Sequence, residues 1–190
     1  MMQTTTLVTR EEYFDRLANS EIKLEYHGGE IVAMAGAQPT HNIIASNLIS
    51  ELVFCLKAKG CVVYNSDQLI KVESCDKYTF PDLVIVCQTP IYEKTPKGLD
   101  ALENPEIIIE VLSESTESYD RLEKFDCYKT IPSFREYVLV SSRTKKIEVI
   151  KKLSEAEWLS HTYSDKDENV LISACTIRLT DIYNHVELPA

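Results

Sequence analysis

The chain lacks most of the signatures by which a short sequence declares its chemistry. It has no G-x-S-x-G nucleophile turn, no phosphate-binding loop and no dinucleotide fingerprint, which removes the enzyme classes built on those motifs. Its six cysteines (Cys55, Cys61, Cys75, Cys87, Cys127 and Cys175) are scattered, with no C-x-x-C pair and no companion histidine at zinc spacing. Several lie inside apolar runs, where a thiol behaves as a small hydrophobe. The expectation is a reduced, cytoplasmic protein. Residues 1–10 are polar and threonine-rich, without the apolar core of a signal peptide. No apolar run approaches the length of a membrane span, so no membrane partner is expected. Positive charge is scarce: 20 Lys and Arg stand against 30 Asp and Glu, a formal net charge of −10. That balance opposes tight binding of nucleic acid, whose affinity comes mainly from Lys and Arg on phosphates. Aromatic content is too low to suggest a sugar cleft. With no internal repeat, low-complexity tract or linker, the 190 residues read as one domain, 1–190.

What is present is a pair of short apolar runs, each interrupted by one carboxylate. Phe80-Pro81-Asp82-Leu83-Val84-Ile85-Val86-Cys87 and Ile107-Ile108-Ile109-Glu110-Val111-Leu112 read as strands buried on both faces. Asp82 stands at the entrance of the first and Glu110 near the exit of the second. Antiparallel pairing of the two strands brings start against end, so that the carboxylates face one another. A charge so placed is costly unless compensated, and a divalent cation compensates it well. The plainer alternative is two strand-end acids pointing into water.

The rest of the chain reads as elements around that pair. Thr9-Arg10-Glu11-Glu12 has the capping-box form and predicts a helix over Arg10–Ala18. Period-two alternation on either side of Gly28-Gly29 predicts a hairpin, with Glu30 on its returning strand. Apolar residues at helical spacing over 39–59, stopped by Gly60, predict the longest helix, with His41 in its first turn. Strands are expected over 62–64, 69–72 and 137–140, and antiparallel edge strands over 147–150, 158–159 and 170–172. Residues 88–104, rich in proline and charge, predict a loop long enough to act as a flap. Ser113 to Thr116 should cap a helix over 117–130 that Pro132 terminates. A short helical turn over 179–183 closes the chain. The sum is an α/β fold, a mixed central β-sheet flanked by helices, with extra antiparallel strands at the N- and C-terminal ends.

Pro81-Asp82, then Glu110-Val111-Leu112, then Asp120 and Lys124 resemble the PD-(D/E)XK superfamily of restriction-endonuclease-like nucleases. More narrowly, the chain resembles the Uma-type family of endonucleases common in cyanobacteria. That family's run of Glu-Val-x-Ser-x-Ser-Thr, an Asp, a Lys four residues on and a Tyr four further is matched by Glu110 to Thr116, Asp120, Lys124 and Tyr128. Its hairpin Gly-Glu is matched by Gly29-Glu30 and its helix-opening histidine by His41. The resemblance covers about residues 10 to 150 and implies a restriction-endonuclease-like core. One position departs from the superfamily pattern: its lysine two residues after the second acid is Leu112 here, and Lys124 stands as the substitute.

The resemblance implies hydrolysis of DNA phosphodiesters with Mg²⁺ or Mn²⁺. Asp82 and Glu110, with the Val111 carbonyl as a further donor, would be the metal ligands. Lys124 would be the catalytic cation beside the attacking water, and Glu30 a further ligand reaching from the hairpin. His41, Ser113 and Tyr128 would contact substrate, although each has a plainer role as a capping or packing residue. Ser115 and Thr116 are helix caps or phosphate contacts. Asp120 and Lys124 can equally be an ordinary surface ion pair at i, i+4. Arg121, Lys129 and Arg135 could line a groove or simply be solvated. The acidic balance is compatible with a nuclease that clusters acids at its centre behind a basic rim, and a homodimer would supply two sites for two strands. Leu112 and the negative charge favour a different class of reading, a catalytically inactive nuclease-derived binding or assembly module.

Overall fold

The capping box forms as its spacing predicts. In the computed structural model, which describes residues 7–34, 36–96, 98–114 and 116–189, the Thr9 hydroxyl accepts from the Glu12 N–H at 3.2 Å. The Glu12 carboxylate accepts from the Thr9 N–H at 2.8 Å, opening helix α1 (Arg10–Ala18). Strands β1 (Leu24–His27) and β2 (Glu30–Ala33) pair antiparallel, and the two-residue turn between them holds Gly28 at φ +57° and Gly29 at φ +101°. Positive φ at both positions is what a tight hairpin turn demands. Helix α2 (Pro39–Leu56) starts on a proline, whose missing N–H costs nothing in a first turn. It buries Ile44, Leu48, Leu52 and Leu56, a stripe of period four, and a 3-10 turn leads to Gly60 at φ +75°.

Short strands follow: β3 (Val62–Tyr64), β4 (Ile70–Val72), β5 (Lys77–Thr79) and β6 (Leu83–Val86). Next come β7 (Tyr92–Glu93), β8 (Ala101–Leu102) and β9 (Ile107–Leu112). A helical stretch is made of α3 (Glu117–Tyr119), a five-residue π turn (Asp120–Lys124) and α4 (Phe125–Tyr128). The chain ends with β10 (Glu136–Ser141), β11 (Ile147–Lys152), β12 (Trp158–Tyr163), β13 (Asn169–Ile172), β14 (Cys175–Arg178) and α5 (Leu179–Ile182).

The central sheet has the order β12-β11-β10-β9-β6-β3 and is antiparallel except for the parallel pair β9 and β10. Alternation along its inner strands supplies two cores. Leu83, Ile85, Ile107, Ile109 and Val111 face α2 and the β13–β14 hairpin. Val84, Val86, Ile108 and Leu112 face Cys127, Tyr128, Phe134 and the strand residues Ile70 and Val72. The second sheet, β2-β1-β5-β4-β8-β7, carries the N-terminal hairpin and packs with α1 over Tyr13, Phe14, Tyr26, Tyr78 and Phe80. The mixed α/β class and the extra antiparallel strands at both ends match the sequence reading.

Three expectations are corrected. Residues 88–104 are not a free flap: β7 pairs with β8, and β8 pairs with β4, so the segment is the edge of the second sheet. The strand at 170–172 does not edge the central sheet; it pairs with β14 in a hairpin of its own. The cysteines are not free thiols. Cys55–Cys175, Cys61–Cys87 and Cys75–Cys127 are disulfide-bonded. Their scatter in sequence hid the pairing, because the partners meet only through tertiary register. Cys61 and Cys87, for example, flank the Val62↔Val86 pair of β3 and β6. The thiol-based argument for a reducing compartment therefore falls. No helix among the described residues is long and apolar enough to cross a membrane.

Candidate active site

The antiparallel register of β6 and β9 pairs Leu83 with Ile109, Val84 with Ile108 and Ile85 with Ile107. Asp82, one residue before β6, therefore meets Glu110, one residue beyond Ile109. The Asp82 N–H donates to Glu110 Oε2 at 3.2 Å, and the Val111 N–H donates to Asp82 Oδ2 at 2.7 Å. The two acids are thus clamped to each other's backbones. His41, in the first turn of α2, places Nε2 3.0 Å from Asp82 Oδ2. Burial works against its imidazolium, but the adjacent Asp82 outweighs that and raises the His41 pKa.

The helical stretch after β9 completes the centre. The π turn turns Asp120 and Lys124 inward together while Leu122 and Glu123 stay exposed, and such turns occur often at functional sites. Lys124 Nζ lies 3.1 Å from Glu110 Oε1 and 3.1 Å from Asp120 Oδ1. Tyr128, one helical turn on, donates to the same Glu110 Oε1 at 3.3 Å, and its hydroxyl lies 3.2 Å from Thr79 Oγ1. The Tyr137 hydroxyl donates to the Asp120 carbonyl at 2.9 Å, tying the turn to β10. Glu110, Asp120 and Lys124 are all buried.

Burial pushes the Glu110 carboxyl up to about 8; Lys124 opposes that rise, while the negative charges of Asp120 and Asp82 add to it. Burial alone would lower Lys124, yet Glu110, Tyr128, Glu25 and Asp120 hold its pKa well above the ordinary lysine value. The ammonium is thus firmly charged, and the acids around it exceed what one cation neutralises.

Glu25 is a carboxylate that the sequence reading passed over. It is 4 % exposed and sits on β1, where strict alternation would turn it outward. Its Oε1 accepts the Phe80 N–H at 2.9 Å, two residues before Asp82, and its Oε2 lies 3.1 Å from His27 Nε2. Burial works to raise its pKa, but the His27 bond, the charge of Lys124 and the Phe80 N–H together lower it. The one sequence signal available was the Glu25-x-His27 spacing, which puts both on one face of a strand. Glu30, by contrast, is exposed at the hairpin turn opposite His27 and does not reach this cluster. Ser113 turns its hydroxyl to Thr116, 3.0 Å from Thr116 Oγ1, as a local cap. Arg121 bonds Glu117 and Glu148 rather than lining a groove, Lys129 pairs with Asp126, and Arg135 pairs with Glu106. Ser115 lies outside the described residues.

The donor set suits a hard divalent cation. Asp82, Glu110 and Asp120 offer carboxylate oxygens, and the buried Asp120 Oδ1 carries the Lys124 ion pair but no hydrogen bond. No three His, Cys, Asp or Glu side chains among the described residues form a ready-made cage.

Comparison with known proteins places the chain in a family. Residues 10–180 match the family model Uma2, described as "Putative restriction endonuclease". Two proteins of Synechocystis sp. are similar to the chain. The uncharacterized protein sll1609 is 31% identical over 159 residues, covering 84% of this chain and 89% of its own. The uncharacterized protein slr1290 is 34% identical over 159 residues, covering 83% and 80%. Among solved structures, a putative nuclease of the DUF820 group from Anabaena variabilis superposes with a TM-score of 0.71 at 18% identity, covering 91% of this chain and 96% of that one. At that identity the likeness establishes a shared fold.

Proposed function

The chain belongs to the Uma2 family, described as "Putative restriction endonuclease", and from that membership we propose that it is a metal-dependent endonuclease hydrolysing DNA phosphodiester bonds. The observation that carries the proposal is the convergence of Asp82, Glu110 and Lys124, drawn from two strands and a helical turn, with Lys124 Nζ 3.1 Å from Glu110. Asp82 and Glu110 would hold Mg²⁺ or Mn²⁺. When bound, the cation supplies charge neutralisation at the phosphate and acidifies a coordinated water.

The chain's own residues do the rest. Lys124, kept protonated by the surrounding acids, donates to a phosphate oxygen as negative charge grows there. Tyr128 and Lys124 both hold Glu110 Oε1, which orients the carboxylate. His41 and the Val111 N–H hold Asp82 Oδ2. Asp120 shares the Lys124 ammonium with Glu110. A homodimer would present two such centres to the two strands of a duplex.

A supercoiled plasmid incubated with the purified protein and Mg²⁺ tests the proposal. Nicking or linearisation is expected, abolished by chelator and reduced by Asp82→Asn and by Lys124→Met. Cleavage indifferent to both substitutions overturns the assignment. A second reading, a binding or assembly module that hydrolyses nothing, is favoured by Leu112 at the usual lysine position and by the net charge of −10. Failure to bind magnesium in a titration, with folding intact, selects that reading.

A further inference from the structure

Beside the acidic centre lies a second cluster with the opposite character. Lys77 Nζ, on β5, donates to the Tyr119 hydroxyl at 3.2 Å and stands over the Tyr119 ring, 5.2 Å from its centre. Lys124 Nζ stands 5.8 Å from the centre of the same ring. His27 stacks against Tyr119 with 5.7 Å between ring centres and 22° between planes, and its ring nitrogens lie 3.4 and 3.5 Å from the Tyr119 hydroxyl. Because Nε2 faces Glu25, the consistent arrangement has Nε2–H donating to Glu25 and Nδ1 accepting from Tyr119. Side chains from β1 and β5 therefore converge on the Tyr119 ring of α3, which also borders the Lys124 ammonium.

Among the described residues, the other lysines that are buried or half-buried, Lys23, Lys71, Lys124, Lys129, Lys151 and Lys152, each pair with a carboxylate. Among the described residues, no carboxylate pairs with Lys77. It is half-buried rather than waving in solvent, in a chain whose acids outnumber its bases by 30 to 20. A partly desolvated ammonium without a counter-charge, next to a centre built for phosphate, is suited to an anion that arrives from outside.

We propose that Lys77, braced by Tyr119 and His27, is a second phosphate subsite that binds a backbone phosphate of the same DNA strand near the one undergoing cleavage. The subsite rests on the nuclease reading above and adds to it a strand-tracking contact. Two ammonium groups flanking one ring stay within a few nucleotide steps of each other, at about 3.4 Å of axial rise per step. The negative face of the Tyr119 ring attracts both ammonium groups. Glu25 contributes by fixing the His27 ring, and through it the Tyr119 hydroxyl that steers Lys77.

The test is binding of a labelled, mixed-sequence DNA duplex with cleavage-resistant phosphorothioate linkages, in Mg²⁺, followed by fluorescence anisotropy across a salt series. Lys77→Gln keeps a hydrogen bond to Tyr119 but removes the charge. It is expected to weaken binding several-fold at low salt and to lower the slope of log affinity against log salt by about 1. Lys77→Arg is expected to restore both. Wild-type binding with an unchanged affinity and slope in Lys77→Gln overturns the subsite and leaves the nuclease reading standing. Equal loss in Lys77→Arg and Lys77→Gln overturns it too, since charge would then not be what binds. A wild-type protein that binds no DNA at any salt overturns both.

Discussion

Two lysines in this molecule are surrounded by acids, and they live in opposite conditions. Lys71 Nζ, on β4 of the second sheet, lies 2.7 Å from Glu73, 3.3 Å from Glu93 and 3.5 Å from Glu103. Those carboxylates are 66%, 31% and 39% exposed, so water already solvates them. Lys124 lies 3.1 Å from Glu110 and from Asp120, whose side chains are only 5% and 4% exposed. The contact distances are similar, but the energetics are not. Around Lys71, water screens the attraction and would solvate the exposed acids left behind if the lysine were lost. In the interior, desolvation has already been incurred and only the partner offsets it. A surface cluster is therefore an incidental gain, whereas a buried one that leaves Glu110 at about 8 is a structural cost. Such costs concentrate where chemistry needs a perturbed group.

The contrast is broken most directly by Lys124→Ala. It leaves Glu110 and Asp120 buried without their cation, and a loss of about 3–5 kcal/mol in unfolding free energy is expected, read from urea denaturation. Cleavage by the same variant should fall by about 10²–10³-fold under conditions where it remains folded. Glu110→Gln sharpens the comparison from the other side. It removes a charge that burial disfavours and leaves Lys124 paired with Asp120. Stability should stay within about 1 kcal/mol of wild type, while plasmid cleavage and magnesium affinity by calorimetry are lost.

The third expectation concerns pH. Glu110 titrates at about 8 in the folded chain against 4.5 ordinarily. A raised pKa means that the folded state holds the proton more tightly, so its stabilising effect is complete below 4.5 and fades as pH rises through 8. In chelator, the melting temperature of wild type should therefore fall relative to that of Glu110→Gln between those values, and added Mg²⁺ should close the gap. A gap that does not change with pH would show that Lys124 and Glu110 form a simple ion pair. The smallest effect belongs to Lys71→Ala, expected to cost about 0–1 kcal/mol, to weaken further in added salt and to leave cleavage untouched.

Local signals were readable where one short stretch of chain contains the whole physical reason. The Thr9–Glu12 box, the Gly28-Gly29 turn and the Ile44 to Leu56 stripe each carry their own explanation. The β6 and β9 runs belong with them, and so does the facing of Asp82 and Glu110, which follows once antiparallel pairing is assumed. Elements held together by distant neighbours escaped. Strand β5 is three residues long and follows a 3-10 turn, too short for alternation to register. Strands β7 and β8 hide in a polar, proline-containing segment because β4, the strand that anchors β8, lies elsewhere in the sequence. The π turn has no compositional mark within what reads as one helix.

The amino-acid order by itself determined the class of the fold and the two strands that carry the central acids, while Lys124 was singled out only by the resemblance to a nuclease family. Those follow from periodicity, end signals and residue types that act over a few positions. Only the folded arrangement decided that Glu25 rather than Glu30 is the hairpin carboxylate next to the centre. It also decided that Asp120 shares Lys124 with Glu110, that the six cysteines pair, and that Lys77, beside Tyr119, has no carboxylate partner among the described residues. The reason is physical: burial and electrostatic partnership depend on which distant segments are packed together, and no spacing within a single stretch encodes that.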